Sequence, residues 1–212
     1  NTIAMLLVTG QSQPPQLDVE TLEHELSRLK GQEDVLPRIV DALRRRELNI
    51  FPQTRPTSWL FAGASGVGKS ETAKIISQMV TGQKPILLNM AEYHDAHTIN
   101  RIIGSPSGYV GSDSARERPF DTLASNPYRV IVLDEFEKAH MSVQRLFLSA
   151  LDTGEIQMAN GPSVDLSRCI VITTTNAGRQ KLSGSRIGFG EETNTLSKQA
   201  LTTELQNSFD AE

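Results

Sequence analysis

Apolar residues in this 212-residue chain follow two different periods. Four short runs, "SWLFAG", "PILLNM", "RVIVLDE" and "CIVITTTN", are nearly continuous in apolar or β-branched residues and predict buried strands. Other stretches place apolar residues three and four apart. "VETLEHELSRL" and "EDVLPRIVDALRRREL", between Val19 and about Leu48, read as two helices broken at Lys30-Gly31 and joined by a "KGQ" turn. "KSETAKIISQMV" has the same period, as do segments around 96–103, 114–125 and 142–152. Buried strands alternating with helices predict a parallel sheet covered on both faces.

Punctuation divides the chain further. "TGQSQPPQLD" reads as a linker, so residues 1–20 are expected to enter from a preceding domain and 21–212 to form one α/β unit. In "GEIQMANGPSVDL", Asn160-Gly161 lies between two short runs and predicts a tight hairpin turn projecting from the sheet layer. Residues 178–197 are rich in Gly, Ser, Thr and Asn and read as a loop, followed by a last helix in "TLSKQALTTELQNSF".

Composition narrows the class. Hydrophobic residues make up 38% of the chain, enough for a real core, and the net charge of −4 gives no general basic field for a phosphate backbone. The only dense basic run, Arg44-Arg45-Arg46, falls in a helical pattern and reads as a solvated face. The single cysteine, Cys169, excludes a disulfide framework and a Cys-rich metal site, and fits a reducing cytoplasm. "IAMLLV" is too short to span a bilayer and lacks a basic leader, so no membrane association is expected. A start at Asn1 rather than Met reads as an excised piece of a longer protein.

The chemistry begins at "GASGVGKS". Gly63-x-x-x-x-Gly68-Lys69-Ser70 meets the phosphate-loop pattern, and it sits between a predicted strand and a predicted helix, where the mechanism requires it. The backbone of Ser65, Gly66, Val67 and Gly68 can turn its N–H groups toward phosphate oxygens, with Glu71 in the first turn beyond. The helix N-terminus adds its positive dipole end, and Lys69 reaches the terminal phosphates. Ser70 supplies a hydroxyl for Mg²⁺. Carboxylates are then needed at the end of a neighbouring strand, and "VIVLDE" supplies Asp134 for the metal and Glu135 for the attacking water. Together they favour ATP hydrolysis over simple nucleotide binding. Asn176, after "ITTT", is placed to touch the γ-phosphate or the water, and it also reads as the start of a turn.

These residues resemble an AAA+ ATPase, and within that superfamily the second ATPase domain of the Clp unfoldases and disaggregases. The resemblance covers most of residues 25–178 and rests on "GQEDVLPRIVDALRR", "LFAGASGVGKSETAK", "LLNMAEYHDAHTINRIIGSPSGYVG", "PYRVIVLDEFEKAH" and "ITTTNAG". "LNM", "AHT" and "GSP" look most like the type VI secretion, ClpV-like, branch.

The resemblance implies a three-layer P-loop NTPase sandwich of AAA+ type, assembled as a homo-hexameric ring. ATP and Mg²⁺ would lie at subunit boundaries, and a polypeptide would thread the pore. Lys69, Ser70 and Asp134 match the family's phosphate and metal ligands, Glu135 its catalytic glutamate and Asn176 its first sensor. Leu29 and Lys30 fall where the adenine is contacted. Gly108, Tyr109, Val110 and Gly111 fall where the family grips its substrate, and the Asn160-Gly161 hairpin where it has a second pore loop. A ring flanked by glycines has an apolar face, a polar tip and backbone freedom, which suits grip without sequence reading.

The implied function is ATP-driven unfolding or remodelling of a polypeptide, with an adaptor or secretion-system component as a further partner. Two alternatives stand beside it. A nucleic-acid motor or loader of the same superfamily should carry Lys or Arg where this chain has "GSPSGYVGSD". An ATP-bound assembly scaffold has no use for Glu135 beside Asp134. The chain departs from the family pattern at "SDSARERPF", where an acidic, glycine-paired run is usual, and "PSGYVG" replaces the commoner double proline. The arginine finger and the small helical lid are expected beyond Glu212, so this stretch alone is expected to hydrolyse ATP slowly or not at all. Arg116, Arg118 and Arg129 are candidates to act across an interface, with a structural or solvated role the simpler reading for each.

Overall fold

Each of the four apolar runs forms a strand, and all four lie in one parallel sheet. A computed structural model describes residues 18–28, 35–47, 53–105 and 118–176. Within them β1 is Thr57–Ala62, β2 Ile86–Asn89, β3 Val130–Asp134 and β6 Ile170–Thr175, in the order β1-β6-β3-β2. Two-residue strands β4 (Glu155–Ile156) and β5 (Val164–Asp165) pair separately and antiparallel.

The helices are α1 (Val19–Ser27), α2 (Leu36–Glu47), α3 (Lys69–Thr81), α4 (Asn100–Ile103) and α5 (Met141–Thr153). Asp18 caps α1, its carboxylate accepting from the Thr21 backbone N–H at 3.2 Å, and Pro37 stands in the first turn of α2, where no N–H is needed. Helix α3 starts directly after Gly68 and stops at Gly82, whose left-handed backbone lets its N–H return to Gln78.

Strand alternation assigns the two faces of the sheet. Val130, Val132, Ile170 and Ile172 point to one side and pack with Ala73 and Ile76 of α3, beneath Leu22 and Leu26 of α1 and Ile39, Val40 and Leu43 of α2. Ile131, Leu133 and Val171 point to the other and meet Val143, Phe147 and Ala150 of α5. There Phe120 and Phe147 meet edge to face, centroids 6.2 Å apart. The result is the expected three-layer α/β arrangement.

Three local expectations change. Residues 96–103 form a 3₁₀ turn, Ala96–Ile99, running into the single helical turn of α4. Of the helix expected at 114–125, the described part holds only a 3₁₀ turn, Asp121–Ala124.

The hairpin exists without the tight turn. Glu155 pairs with Asp165 and Ile156 with Val164, so residues 157–163 connect the strands and Asn160-Gly161 lies at the middle of that longer loop. The reason is anchoring. Ile156, Met158 and Leu166 are buried, the Leu166 N–H donates to Gly154 O at 2.8 Å, and the Ala159 N–H donates to Ile103 O at 2.9 Å. The base of the hairpin is therefore seated in the core, and only its tip stands out.

The basic run is a solvated face at Arg44 and Arg45, as expected, and departs from that expectation only at Arg46. Arg44 pairs with Glu23 at 2.8 Å, Arg45 with Asp41 at 2.7 Å, and Arg46 donates to Arg168 O. Burial lowers the Arg46 pKa from its ordinary value, and this arginine is structural rather than solvated. Among the described residues no helix is long and apolar enough to cross a membrane.

Candidate nucleotide site

Beyond β1 the chain cannot continue as a strand and still begin α3 at Lys69. Gly66 (φ 82°) and Gly68 (φ 95°) make the turn by taking the left-handed conformation that side chains resist. Thr72 fastens the new helix, its N–H and hydroxyl donating to Gly68 O at 2.8 and 2.9 Å. The open N-terminal end of α3 then faces a cavity of about 260 Å³, lined by Ser65, Gly66, Gly68, Lys69, Ser70, Glu71, Asp134, Glu135, Thr174 and Asn176.

Lys69 is bound into this cradle. Its ammonium donates to Gly63 O at 2.7 Å, to Ala64 O at 2.9 Å and to Asn176 Oδ1 at 2.8 Å. Partial burial lowers its pKa, an effect opposed by the charges of Asp134, Glu137 and Glu135.

Opposite Lys69, the ends of β3 and β6 bring the carboxylates in. Alternation places Asp134 on the same face as Val130 and Val132, toward α3, and Ser70 Oγ donates to Asp134 Oδ1 at 3.1 Å. A continued strand would turn Glu135 to the far face. Instead Glu135 takes φ 57°, ψ 52°, the only positive φ outside glycine among the described residues. Its carboxylate lies beside the same cavity, Oε1 accepting from Asn176 Nδ2 at 2.9 Å and Oε2 from Lys138 Nζ at 2.5 Å. That bond to Glu135 raises the Lys138 pKa.

The sequence-derived candidates converge here, with clear limits. Ser65, Gly66, Gly68, Lys69, Ser70, Glu71, Asp134, Glu135 and Asn176 share the cavity, while Val67 stands 40% exposed beside it. Leu29, Lys30, Gly108, Tyr109, Val110, Gly111 and Arg116 lie outside the described residues. Arg118 pairs with Asp121 at 3.2 Å and Arg129 donates to Lys84 O at 3.1 Å, so both are engaged within the chain.

Sequence reasoning missed three contributors. Thr174 Oγ1 donates to Asp134 Oδ1 at 2.5 Å, Glu137 Oε1 accepts from the Asn176 N–H at 3.1 Å, and Lys138 holds Glu135. Only Lys138 had an available signal, its i,i+3 spacing from Glu135.

The donor set suits a nucleotide with a hard cation. Ser70 and Asp134 present oxygen ligands, the kind Mg²⁺ takes, beside a helix end and a lysine that favour phosphate. A family model described as AAA domain (Cdc48 subfamily) matches residues 55–212. The chain belongs to this family. Within it the chain is a Clp-type AAA+ ATPase domain. It is 35% identical over 198 residues to the ATP-dependent Clp protease ATP-binding subunit ClpE of Bacillus subtilis, covering 92% of this chain and 28% of that protein. It is 39% identical over 163 residues to chaperone protein ClpB 2 of Nostoc, covering 75% of this chain and 19% of that one. The AAA domain thus spans about a quarter of the length of these relatives. Among solved structures, a closed-state reconstruction of Hsp104 with ATPγS and FITC casein matches with a TM-score of 0.73 and 31% identity, over 88% of this chain and 33% of that one.

Proposed function

We propose that this AAA domain binds ATP with Mg²⁺, hydrolyses it, and uses the energy to unfold or remodel polypeptides as one subunit of a hexameric ring. The observation that carries the reading is the meeting of Lys69, Ser70, Asp134, Glu135 and Asn176 around one cavity at the N-terminal end of α3.

The roles follow from position. Lys69 exchanges the carbonyls of Gly63 and Ala64 for the terminal phosphates, and the N–H groups of residues 65–69 take the remaining oxygens. Ser70 and Asp134 hold Mg²⁺, which when bound neutralises charge building on the phosphates. Glu135 orients the attacking water and accepts its proton, and Asn176, touching both Lys69 and Glu135, keeps base and phosphate in one register.

The polypeptide as substrate is supported by "GSPSGYVG" and by relatives whose names include Clp protease subunits, a chaperone and an Hsp104 seen with casein. Tyr109 is the proposed gripping residue, and Leu29 and Lys30 the proposed adenine contacts. Assignment to the type VI secretion branch, with its adaptor or secretion partner, rests on "LNM", "AHT" and "GSP". A cytoplasmic location accords with this work.

Two variants of the full-length protein test the reading. Glu135→Gln should keep ATP binding and lose about 10² to 10⁴ in turnover, the usual worth of a general base. Tyr109→Ala should keep hydrolysis and lose unfolding of a tagged fluorescent substrate. Normal turnover in the first variant removes Glu135 from the reaction, and normal unfolding in the second removes Tyr109 from the grip.

A further inference from the structure

Thr174 is 1% exposed near the end of β6, and its hydroxyl both donates and accepts. As donor it bonds Asp134 Oδ1 at 2.5 Å, and as acceptor it takes the Glu135 backbone N–H at 3.0 Å. It touches the two proposed working carboxylate residues from one atom. We propose that Thr174 is a positioning residue that sets Asp134 and Glu135 jointly, and the inference rests on the roles given above to those two residues.

The bond to Asp134 does more than satisfy a buried hydroxyl. Asp134 Oδ1 accepts from both Thr174 and Ser70, so the side-chain rotation that aims Asp134 at Ser70 is held from the β6 side. The bond from Glu135 acts on the backbone. Glutamate resists the left-handed conformation that Glu135 adopts, and such a residue persists where its surroundings over-determine it: the bond to Thr174 fixes the Asp134–Glu135 peptide from which the turn departs, and the Lys138 N–H fixes the Glu135 carbonyl on its far side. Without the turn, strand alternation carries the Glu135 carboxylate away from Asn176. The parallel register places the hydroxyl correctly: Leu133 pairs with Thr173, and the next residues, Asp134 and Thr174, share the face toward α3.

A hydroxyl is required, and a shape alone does not suffice. Thr174→Val keeps the volume and removes both bonds, whereas Thr174→Ser keeps both. In the full-length protein Thr174→Val should bind a fluorescent adenine nucleotide within about twofold of the parent in EDTA. It should need roughly tenfold more Mg²⁺ for half-maximal turnover and lose about 10- to 100-fold in kcat, the scale of a lost hydrogen bond to a charged group. Thr174→Ser should restore both values to within about threefold. Threonine-like kinetics in Thr174→Val, or a Ser variant as impaired as Val, overturns the proposal.

Glu135→Gln measured alongside separates the two levels. Normal turnover in that variant overturns the site reading, whereas lost turnover there with normal Thr174→Val overturns only the role of Thr174. Should Thr174→Val fail to fold, hydrogen exchange on the unmodified protein decides: the Glu135 amide must be protected, and exchange at the rate of a free amide overturns the proposal.

Discussion

Lys69 Nζ donates to Asn176 Oδ1 at 2.8 Å, joining the first residue of α3 to the end of β6 across 107 positions of sequence. The other end of the same amide donates to Glu135. One side chain therefore spans the gap between Lys69, the proposed phosphate-binding cation, and Glu135, the proposed base. Asn176→Ala cuts both links while leaving the phosphate loop in place. The expected result is a fall in kcat of about 10- to 100-fold with a much smaller change in nucleotide affinity, measured by steady-state hydrolysis and by nucleotide titration. An equal loss in both quantities would assign Asn176 to binding alone.

Lys69→Met should behave in the opposite sense. Its three acceptors are two backbone carbonyls of the loop and the Asn176 amide, all neutral, which accords with the phosphate-binding role proposed for the cation. Removing it should weaken ATP binding by about tenfold or more with the far-ultraviolet circular dichroism unchanged, since β1 and α3 are joined through their own backbone. Isothermal titration with a non-hydrolysable analogue checks it.

What was legible in the sequence depended on how far apart the cooperating residues lie. The two central strands announced themselves because a parallel strand buried on both faces must be apolar along its length, as in Val130–Leu133, whereas β1 and β2, the outer strands of the described sheet, leave Leu60 and Leu87 exposed and showed only as short apolar runs. The phosphate loop is contiguous, so its spacing alone located Lys69 and Ser70. Thr174 did not show, because its link to Asp134 exists only through the register of β3 against β6. Asn160-Gly161 misled for a related reason. The dipeptide favours a two-residue turn, but the burial of Ile156 and Met158 and the bond from Ala159 to Ile103 set the hairpin register instead.

Cys169 offers a pH test. Burial pushes its thiol from an ordinary 9.0 up to about 11, against the lowering influence of the Arg129 backbone N–H and the Arg46 charge. The unfolded chain releases this proton near pH 9.0 and the folded one near 11, so stability is whole below the first value and falls as pH rises through the window. The loss from this group is about 2 to 3 kcal/mol at the upper end. Cys169→Ala should flatten the decline between those pH values, seen by chemical denaturation of variant and parent. In the native protein Cys169 should also resist alkylation at pH 8, followed by peptide mapping.

Two glycines in the left-handed conformation separate backbone strain from collision. Gly82 ends α3 with φ 67°, and a Cβ built there meets nothing within 4 Å. Gly82→Ala should therefore cost only the conformational penalty, about 1 to 2 kcal/mol. Gly154 ends α5 with φ 87°, and its Cβ would fall 2.1 Å from Thr54 O, a backbone atom that cannot rotate aside. Gly154→Ala adds that collision to the same penalty, and it strikes where α5 hands the chain to β4, beside the Leu166 N–H that bonds Gly154 O. Its loss of stability should exceed that of Gly82→Ala by at least about 2 kcal/mol, a clear separation in melting temperature. Equal losses would mean that the segment before β1 moves away from Gly154 without cost, and the close packing of Thr54 against the α5 terminus would then contribute nothing to the fold.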